Sequence, residues 1–507
     1  MRTKNVIKNY ITDFIPQIII MILGMLKIKV LLKYIGHDTL GLYQVFTQFM
    51  AYITVAEGGL IGAAVYRLHK PIVETDNQKV KEILNATRNV FMVISIIITI
   101  LGIVISFIIP YFVQNNPFNN TYITINFIIY LISEIITYLM ITNRIVYNAY
   151  EKNYKINLIL QGSVIIKSIL EMAIVYFGGN ITQIFFMYIG INVILNTTIS
   201  LKANKEFKFL PKTKKKDFSL VKDIKNLIVH KIAGIISNNV DIVIISSSKE
   251  LGLASVVIYS TYNVIVNSLK IVIDKIRLAT ESSVGNLLYE NKERSYKIFK
   301  EYNAMVHFIA TFLGIPLLFA INYFIDIWYE GEIQTDISIA FLFTLIFIYN
   351  TIRIPLCVYT TSIGMFKETK ICAILEGIIN LVLSLIFVRF WGIIGVLIAT
   401  IVSLIVSEYM IKPRIIYKNI FHKKVSSYYV QNSKFDVYII ISIIMVVVLI
   451  RKINISNLGL WFIISTIVFV INLVATSIYY SLIRENEFIK RTINLIINKI
   501  RCKLMIE

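Results

Sequence analysis

Apolar residues recur along the chain in runs of about 20, separated by short polar or basic connections. A helical run of that length crosses the hydrocarbon core of a bilayer, which is about 30 Å thick. The pattern therefore predicts membrane-spanning helices from end to end. We number the fourteen predicted spans in chain order: 10–34, 38–66, 87–113, 121–147, 155–178, 181–201, 226–247, 252–284, 302–326, 337–364, 369–390, 392–412, 436–452 and 459–483.

Composition agrees with this pattern. The 507 residues are 57% hydrophobic and 16% charged, whereas about a quarter of the residues of a soluble domain are charged. We therefore expect an all-α integral membrane protein with about 14 transmembrane helices.

The basic residues that give the chain its net charge of +21 lie mainly in the connections between the spans. The termini and connections fall into two sets that alternate along the chain, one for each side of the membrane. The set that includes both termini holds 38 Lys and Arg residues, and the other set holds five. Because basic residues stay on the cytoplasmic side, this ratio predicts that both termini are cytoplasmic. The charge thus reports membrane topology, and we expect no nucleic-acid partner.

The longest basic connection, 201–225, divides the first twelve spans into two sets of six. An internal echo supports two halves, because "HDTLGLYQVF" leads into span 2 and "SKELGLASVVIYS" leads into span 8. Six spans per half give both halves the same orientation, as in parallel repeats. The predicted domains are an N-terminal six-helix bundle (1–205), a basic cytoplasmic linker (206–222), a C-terminal six-helix bundle (223–415), a cytoplasmic loop (416–434), helices 13 and 14 (435–484) and a cytoplasmic tail (485–507).

The tail alternates isoleucines with basic residues at helical spacing. This pattern predicts an amphipathic helix on anionic headgroups, as a structural cap or a regulatory element.

Signatures of soluble enzymes are missing from the sequence. It has no GxxxxGK[ST] phosphate loop, no HExxH, no CxxC pair and no GxSxG elbow, and its three cysteines form no metal-ligand pattern. We expect a non-enzymatic protein without a cofactor. A membrane glycosyltransferase or polymerase is the alternative from another class, but the longest outer connection, near 325–336, is short for a catalytic loop.

Polar residues inside the spans carry more information, because a charge at the bilayer centre costs about 2.5–3.5 kcal/mol and usually faces protein or water. Four spans carry them along one helix face: Asp13, Gln17, Gly24 and Lys27 in span 1; Tyr43, Thr47, Thr54 and Glu57 in span 2; Asn226, His230, Gly234, Ser237 and Asp241 in span 7; Asn263, Asn267, Lys270, Asp274, Arg277 and Glu281 in span 8. These are the first two spans of each half, which predicts one shared hydrated cavity.

Local ion pairs are the competing interpretation of these charges. Three pairs have i,i+4 spacing and could be self-contained: Lys167–Glu171, Lys270–Asp274 and Arg277–Glu281. Arg353 is equally consistent with a cavity residue and a local pair, and Pro355 beside it predicts a kink in span 10.

Three segments carry a family resemblance: "GLYQVFTQFMAYITVAEGGLIGAAVYRL" (41–68), "LGLASVVIYSTYNVI" (251–265) and "WGIIGVLIATIVS" (391–403). With them the chain resembles the polysaccharide-transport (Wzx-type) branch of the multidrug/oligosaccharidyl-lipid/polysaccharide (MOP) exporter superfamily, over essentially its whole length. Fourteen spans fit this branch and its peptidoglycan-precursor relatives better than the twelve-span drug-antiporter branch. The chain departs from the pattern at Glu57, where the family more often has Asp.

The resemblance implies a flippase that moves a polyprenyl-diphosphate-linked oligosaccharide from the inner to the outer leaflet of a bacterial plasma membrane. Basic residues would pair with the diphosphate. The first candidates are Lys27, Lys270, Lys275 and Arg277, and the candidates of second rank are Lys29, Lys231 and Arg353. Amides would bond sugar hydroxyls: Gln17, Asn238, Asn263 and Asn267. A coupling proton or Na⁺ would bind Glu57, Asp241 or Asp274.

Other readings of the resemblance stay open. A flippase for the peptidoglycan lipid precursor and a cation-coupled multidrug exporter belong to the same superfamily. Membrane lipids are expected partners in each case, and a polysaccharide polymerase and other assembly proteins are candidate partners of an oligosaccharide flippase.

Overall fold

The computed structural model describes residues 2–54, 56–217, 240–290 and 292–483. The chain separates into two compact units, unit 1 (Met1–Ser260) and unit 2 (Thr261–Glu507). This boundary lies downstream of the basic linker at 206–222, and the domain limits given above stay a prediction.

Unit 1 is helical. Its helices are α1 (Arg2–Thr54), α2 (Ala56–Val73), α3 (Asn77–Phe112), α4 (Asn120–Met140), α5 (Thr142–Ala149), α6 (Tyr154–Tyr176), α7 (Ile181–Glu206), α8 (Asp241–Ser247) and the start of α9 (Leu253–Glu290).

Unit 2 continues α9 and is also helical. It contains α10 (Lys292–Trp328), α11 (Ile337–Ile352), α12 (Ile354–Ile363), α13 (Phe366–Leu404), a π-helix (Ile405–Ile411), α14 (Lys412–Ile416), a second π-helix (Tyr417–Phe421), α15 (Ser426–Ile450) and α16 (Leu458–Leu482). No strand occurs in the described ranges of either unit.

Eleven helices within the described residues are long and apolar enough to cross a membrane. Two of them each cover one predicted span and the first part of the next, and each is interrupted at a glycine where the two meet: α1 at Gly36 (φ 74°) and α13 at Gly392 (φ 56°). Most of predicted span 7 lies outside the described residues, and α8 is its described end. The all-α membrane fold predicted from the hydrophobic pattern is confirmed.

Aromatic side chains fill the core of unit 1. There α1 packs against α6, and α4 packs against both α3 and α7. The ring of Phe46 lies 5.5 Å from that of Phe127 and 6.0 Å from that of Phe185, and Tyr130 stacks on Phe185 at 4.9 Å. Three helices thus meet at Phe185.

In unit 2, α10 packs against α11, α15 and α16. Polar contacts run through this interface: Asn303 donates to Asn432 at 2.7 Å, and Asn472 donates to the Thr311 carbonyl at 3.3 Å. Phe435 stacks on Tyr480 at 5.1 Å in the same layer. The two helices that follow the twelve-span repeat therefore pack against α10 through specific contacts.

Glycines set equivalent helix contacts in the two halves. A Cβ at Gly102, in the third span, would lie 2.6 Å from a methyl of Leu131 in the fourth. A Cβ at Gly314, in the ninth span, would lie 2.7 Å from the Ile348 side chain in the tenth. Because small residues let membrane helices approach closely, each glycine fixes the third helix of its half against the fourth.

The fourth span of each half is broken near an arginine. In the first half α4 ends at Met140 and α5 begins at Thr142, just before Arg144. In the second half the break is at Arg353, and Pro355 lies in the first turn of α12, as the kink prediction required. The sequences at the breaks match, because both read Thr-x-Arg-Ile and both have Tyr eight residues after the Thr.

The predicted loop 416–434 is largely helical, which corrects that expectation. The π-helix Tyr417–Phe421 and the first two turns of α15 occupy most of it. Its rings pack inward: Phe421 lies 5.1 Å from Phe299, and Tyr417 lies 5.7 Å from Tyr428. Burying these rings stabilises a helical conformation that the local polar residues do not predict.

Candidate functional site

Unit 1 holds an ion pair among its apolar helices. The ammonium of Lys27 on α1 lies 3.1 Å from Oε2 of Glu171 on α6, and the Glu171 side chain is 2% exposed. Lys27 also donates to the Tyr43 hydroxyl at 3.3 Å, and Tyr188 donates to Oε1 of Glu171 at 2.6 Å. The two tyrosine hydroxyls are 2.8 Å apart. Both carboxylate oxygens are thus satisfied, which a buried charge requires.

This pairing differs from the i,i+4 pair expected on span 5. Glu171 bonds to Lys27 of another helix, and the ammonium of Lys167 instead lies 4.8 Å from the centre of the Tyr188 ring. A cation over a tyrosine ring is attracted by its π-electrons. The charges of Glu134 and Glu171 both attract the Lys167 ammonium. Lys167 and Glu171 thus both contact Tyr188.

Asp241 is another carboxylate inside unit 1. It is 8% exposed and accepts a hydrogen bond of 2.7 Å from the hydroxyl of Tyr259 on α9. It begins α8, where the helix dipole favours a negative charge. The Asp241 carboxylate, on the described part of span 7, is therefore stabilised by a hydrogen bond and by the helix dipole.

In unit 2, Asp274 pairs with Arg277 at 3.4 Å instead of with Lys270. Within the described residues, Lys270 has no salt bridge or hydrogen bond. The charges that act on it most are Arg353, Asp274 and Glu376. Lys270 is thus a half-buried cation that has no direct counterion in the described part of the chain.

Arg353 forms the centre of a second charge cluster in unit 2. Its Nη1 donates to both oxygens of Glu376, at 3.2 and 3.4 Å. Nearby, Lys412 donates to Oε2 of Glu408 at 2.8 Å and contacts the Cys357 sulfur at 3.2 Å. Glu408 lies in the π-helix Ile405–Ile411, and π-helical turns are frequent at functional sites.

The predicted sugar-binding amides are only partly described. Asn267 donates to Asn263 at 2.9 Å along one face of α9, as the spacing predicts. Gln17 on α1 is partly buried. Asn238 and Lys231 lie outside the described residues, as do the side chains of Glu57 and Glu281. Lys29 and Lys275 lie on α1 and α9 and are both partly buried.

The structure therefore separates the predicted cations into two kinds. Lys27, Arg277 and Arg353 each pair with a carboxylate, and Lys270 pairs with none among the described residues. The pairs of Lys27 and Arg353 join separate helices, whereas the Arg277–Asp274 pair lies within α9. A cation without a counterion can bind an incoming anion without breaking an existing pair.

The clusters include residues that the predicted site lacks, among them Glu171, Tyr188, Glu376, Glu408 and Lys412. The sequence does contain a signal for the acidic ones, since each is a carboxylate within an apolar span. Glu171 and Glu376 pair with basic residues outside their own helices, which spacing along one helix cannot show, whereas Glu408 and Lys412 form an i,i+4 pair that spacing could have shown.

The fold has clear structural relatives. The lipid II flippase MurJ, in an inward closed conformation, aligns with a TM-score of 0.68 and 17% identity over 93% of this chain and 99% of its own. An inward-facing multidrug resistance MATE transporter of the MOP superfamily aligns with a TM-score of 0.63 and 14% identity over 78% of this chain and 94% of its own.

A MOP superfamily transporter from Pyrococcus furiosus, for which a binding pocket of reverse polarity is described, aligns with a TM-score of 0.53 and 16% identity over 82% of this chain and 96% of its own. No protein-family profile and no curated protein sequence matches the chain. At these identities the likeness establishes a shared fold.

Proposed function

We propose that the chain is a flippase that moves polyprenyl-diphosphate-linked oligosaccharide repeat units from the inner to the outer leaflet, for capsule, O-antigen or a similar surface polysaccharide. It would act by alternating access in a bacterial plasma membrane, with both termini cytoplasmic. It would transport its cargo without chemical change.

One observation carries this proposal: the alignment with a lipid II flippase covers 93% of this chain and 99% of that one. The multidrug transporters cover a smaller share, 78% in the inward-facing case. The flippase likeness therefore includes a larger part of the chain, and it favours a lipid-linked cargo over a small amphipathic compound.

Lys270 is our first candidate for the cargo diphosphate, because it is a partly buried cation whose ammonium has no counterion among the described residues. Lys275, Arg277 and Lys27 follow it, and Asn263 and Asn267 are suited to sugar hydroxyls. Charge-assisted hydrogen bonds to phosphate are among the stronger polar contacts.

Coupling to a proton or Na⁺ is a separate proposal. Asp241 supports it best among Glu57, Asp241 and Asp274, because its carboxylate is 8% exposed and accepts a hydrogen bond from the neutral Tyr259 hydroxyl. A carboxylate of this kind can take up a small cation when the site opens.

The test is leaflet exchange in proteoliposomes. The purified protein is reconstituted with a fluorescent polyprenyl-diphosphate oligosaccharide, and an impermeant reductant reports the fraction of label in the outer leaflet. We expect faster exchange than in protein-free vesicles. Exchange no faster than in vesicles holding a heat-inactivated sample, for every diphosphate-linked glycan tried, would refute the proposal.

A peptidoglycan lipid-precursor flippase is the second candidate, because MurJ is described as a lipid II flippase. The same vesicles distinguish the two cargoes. Exchange of a lipid-linked muropeptide at a higher rate than a repeat-unit glycan would favour this candidate. Efflux of a cationic dye without exchange of either lipid would favour a multidrug exporter.

A further inference from the structure

A basic cavity of about 490 Å³ lies at the end of unit 1 that the charge pattern predicts to be cytoplasmic. Its walls are the start of α3, the junction of α4 and α5, the end of α7 and the segment 207–212. It is separate from the intramembrane charges around Lys27 and Glu171, none of which lines it.

The segment that follows α7 is fixed against α3, which gives the cavity its fourth wall. Asn85 donates to the carbonyl of Thr213 at 2.7 Å, and the amide of Asp217 donates to the carbonyl of Glu82 at 3.2 Å. The ammonium of Lys79 lies 3.8 Å from Asp217. The cavity is therefore built by tertiary contacts and is more than a cleft between exposed side chains.

Four cations line the cavity: Lys81, Arg88, Lys208 and Lys212. Within the described residues none of the four has a salt bridge or hydrogen bond, and no acidic side chain is in the lining. The neighbouring carboxylates are occupied elsewhere. Glu206 bonds to Lys155 at 2.6 Å and to Lys152 at 3.0 Å, and Asp217 faces Lys79.

The remaining lining suits a phosphate group on an apolar stem. Asn143 and Asn204 supply amide donors beside the cations, and Leu139, Met140 and Phe207 supply apolar wall. Leu139 is 47% exposed, so the cavity continues to the apolar outer surface of α4. Basic pockets between membrane helices on the cytoplasmic side are suited to phosphate headgroups.

We infer that this cavity, the linker pocket, binds a phosphate-bearing anion through Lys81, Arg88, Lys208 and Lys212. The two sources of that chemistry are the headgroup of an anionic phospholipid and a soluble phosphate. The inference is independent of the cargo that the intramembrane site carries, since it concerns a different set of residues.

The test measures binding to the full-length protein in detergent. One arm titrates phosphatidylglycerol against phosphatidylcholine by native mass spectrometry, and the other titrates inorganic phosphate and pyrophosphate by calorimetry. Wild type is compared with K208Q/K212Q. The control, K205Q/K214Q, removes the same charge from two exposed lysines, one near the end of α7 and one in the segment that follows it, and neither lines the cavity.

We expect K208Q/K212Q to bind about 30-fold more weakly, because each basic residue near an anionic surface contributes about fivefold. The control should stay within about twofold of wild type. Loss confined to the phosphatidylglycerol arm would assign a lipid, and loss confined to the phosphate arm would assign a soluble ligand. Both outcomes support the pocket.

Two results would overturn the inference: equal weakening in both double variants, which indicates diffuse surface charge, or no binding by wild type in either arm. Should K208Q/K212Q melt at a lower temperature than the control, R88Q on α3 replaces it, with an expected weakening of about fivefold. Since every readout is binding, a failure of leaflet exchange leaves the result unaffected.

Discussion

At the scale of single residues, the choice of partner decides what each intramembrane charge does. Glu171 is held by Lys27 and two tyrosines, and Arg353 by Glu376, so these residues join helices. Removing one member of a buried pair leaves an uncompensated charge and costs about 3–5 kcal/mol. Removing both can be nearly neutral.

Glu171→Gln should therefore lower the free energy of unfolding by about 3 kcal/mol or more, and Lys27→Met with Glu171→Gln should recover part of that loss. Denaturant unfolding in bicelles measures both. The control is Glu74→Gln, which removes the carboxylate of the exposed Lys70–Glu74 pair and should change stability by less than about 1 kcal/mol. Equal losses at the two sites would contradict the assignment.

Lys270→Gln tests the opposite kind of charge. Because the Lys270 ammonium has no counterion within the described residues, its removal should leave the melting temperature unchanged and slow leaflet exchange about tenfold, the loss of roughly one charge-assisted contact. Lys370→Gln removes an exposed lysine of the same unit and should leave exchange unchanged. A stable Lys270→Gln protein that exchanges cargo at the wild-type rate would remove Lys270 from the site.

At the scale of helices, close approach depends on a few glycines. A Cβ at Gly41 on α1 would clash with the Leu253 carbonyl and lie 2.7 Å from the Leu253 Cβ. Gly41 and Leu253 belong to the two Leu-Gly-Leu segments that echo each other in sequence. The repeated motif is thus also a packing contact.

Gly41→Ala should lower stability by about 1–3 kcal/mol, since the added methyl meets backbone atoms that cannot turn aside. Gly62→Ala is the matched control on α2, where no neighbouring atom lies within 4 Å of the added Cβ. That change should leave stability equal or raise it, because alanine favours a helix. Thermal unfolding of both variants decides the point, and a loss at both positions would argue against the contact.

Hydrophobic periodicity was sufficient to predict the spans, but the partners of polar side chains were beyond its reach. The i,i+4 rule pairs Lys167 with Glu171, yet the structure pairs Glu171 with Lys27 across helices. Spacing along one helix identifies only neighbours on that helix. A buried charge needs a partner, and that partner can come from any helix that packs against it. The helical segment at 416–434 escaped prediction for a similar reason, since distant rings stabilise it.

At the scale of the whole molecule, the basic connections predict topology. Lys214 lies in the basic segment after α7 and Glu250 in the connection before α9, and both are exposed. The positive-inside rule places them on opposite sides of the membrane.

Single-cysteine variants at these two positions measure that topology. In a background without the native cysteines, an impermeant maleimide added to intact cells should label Glu250→Cys, and should label Lys214→Cys only after permeabilisation. The reverse pattern would invert the orientation, and labelling of both in intact cells would show that the number of spans between them is even.

The broken fourth helices carry a consequence for ancestry. Both halves bend at a Thr-x-Arg-Ile sequence, but Arg144 donates to the neutral amide of Asn196 at 3.0 Å, whereas Arg353 donates to the carboxylate of Glu376 at 3.2 Å. Duplication of one gene segment would explain why both halves bend at this sequence. Later divergence would explain why the two arginines donate to different acceptors. A common origin of the two halves would thus be visible in the position of the bend, while the hydrogen-bond acceptors of Arg144 and Arg353 differ.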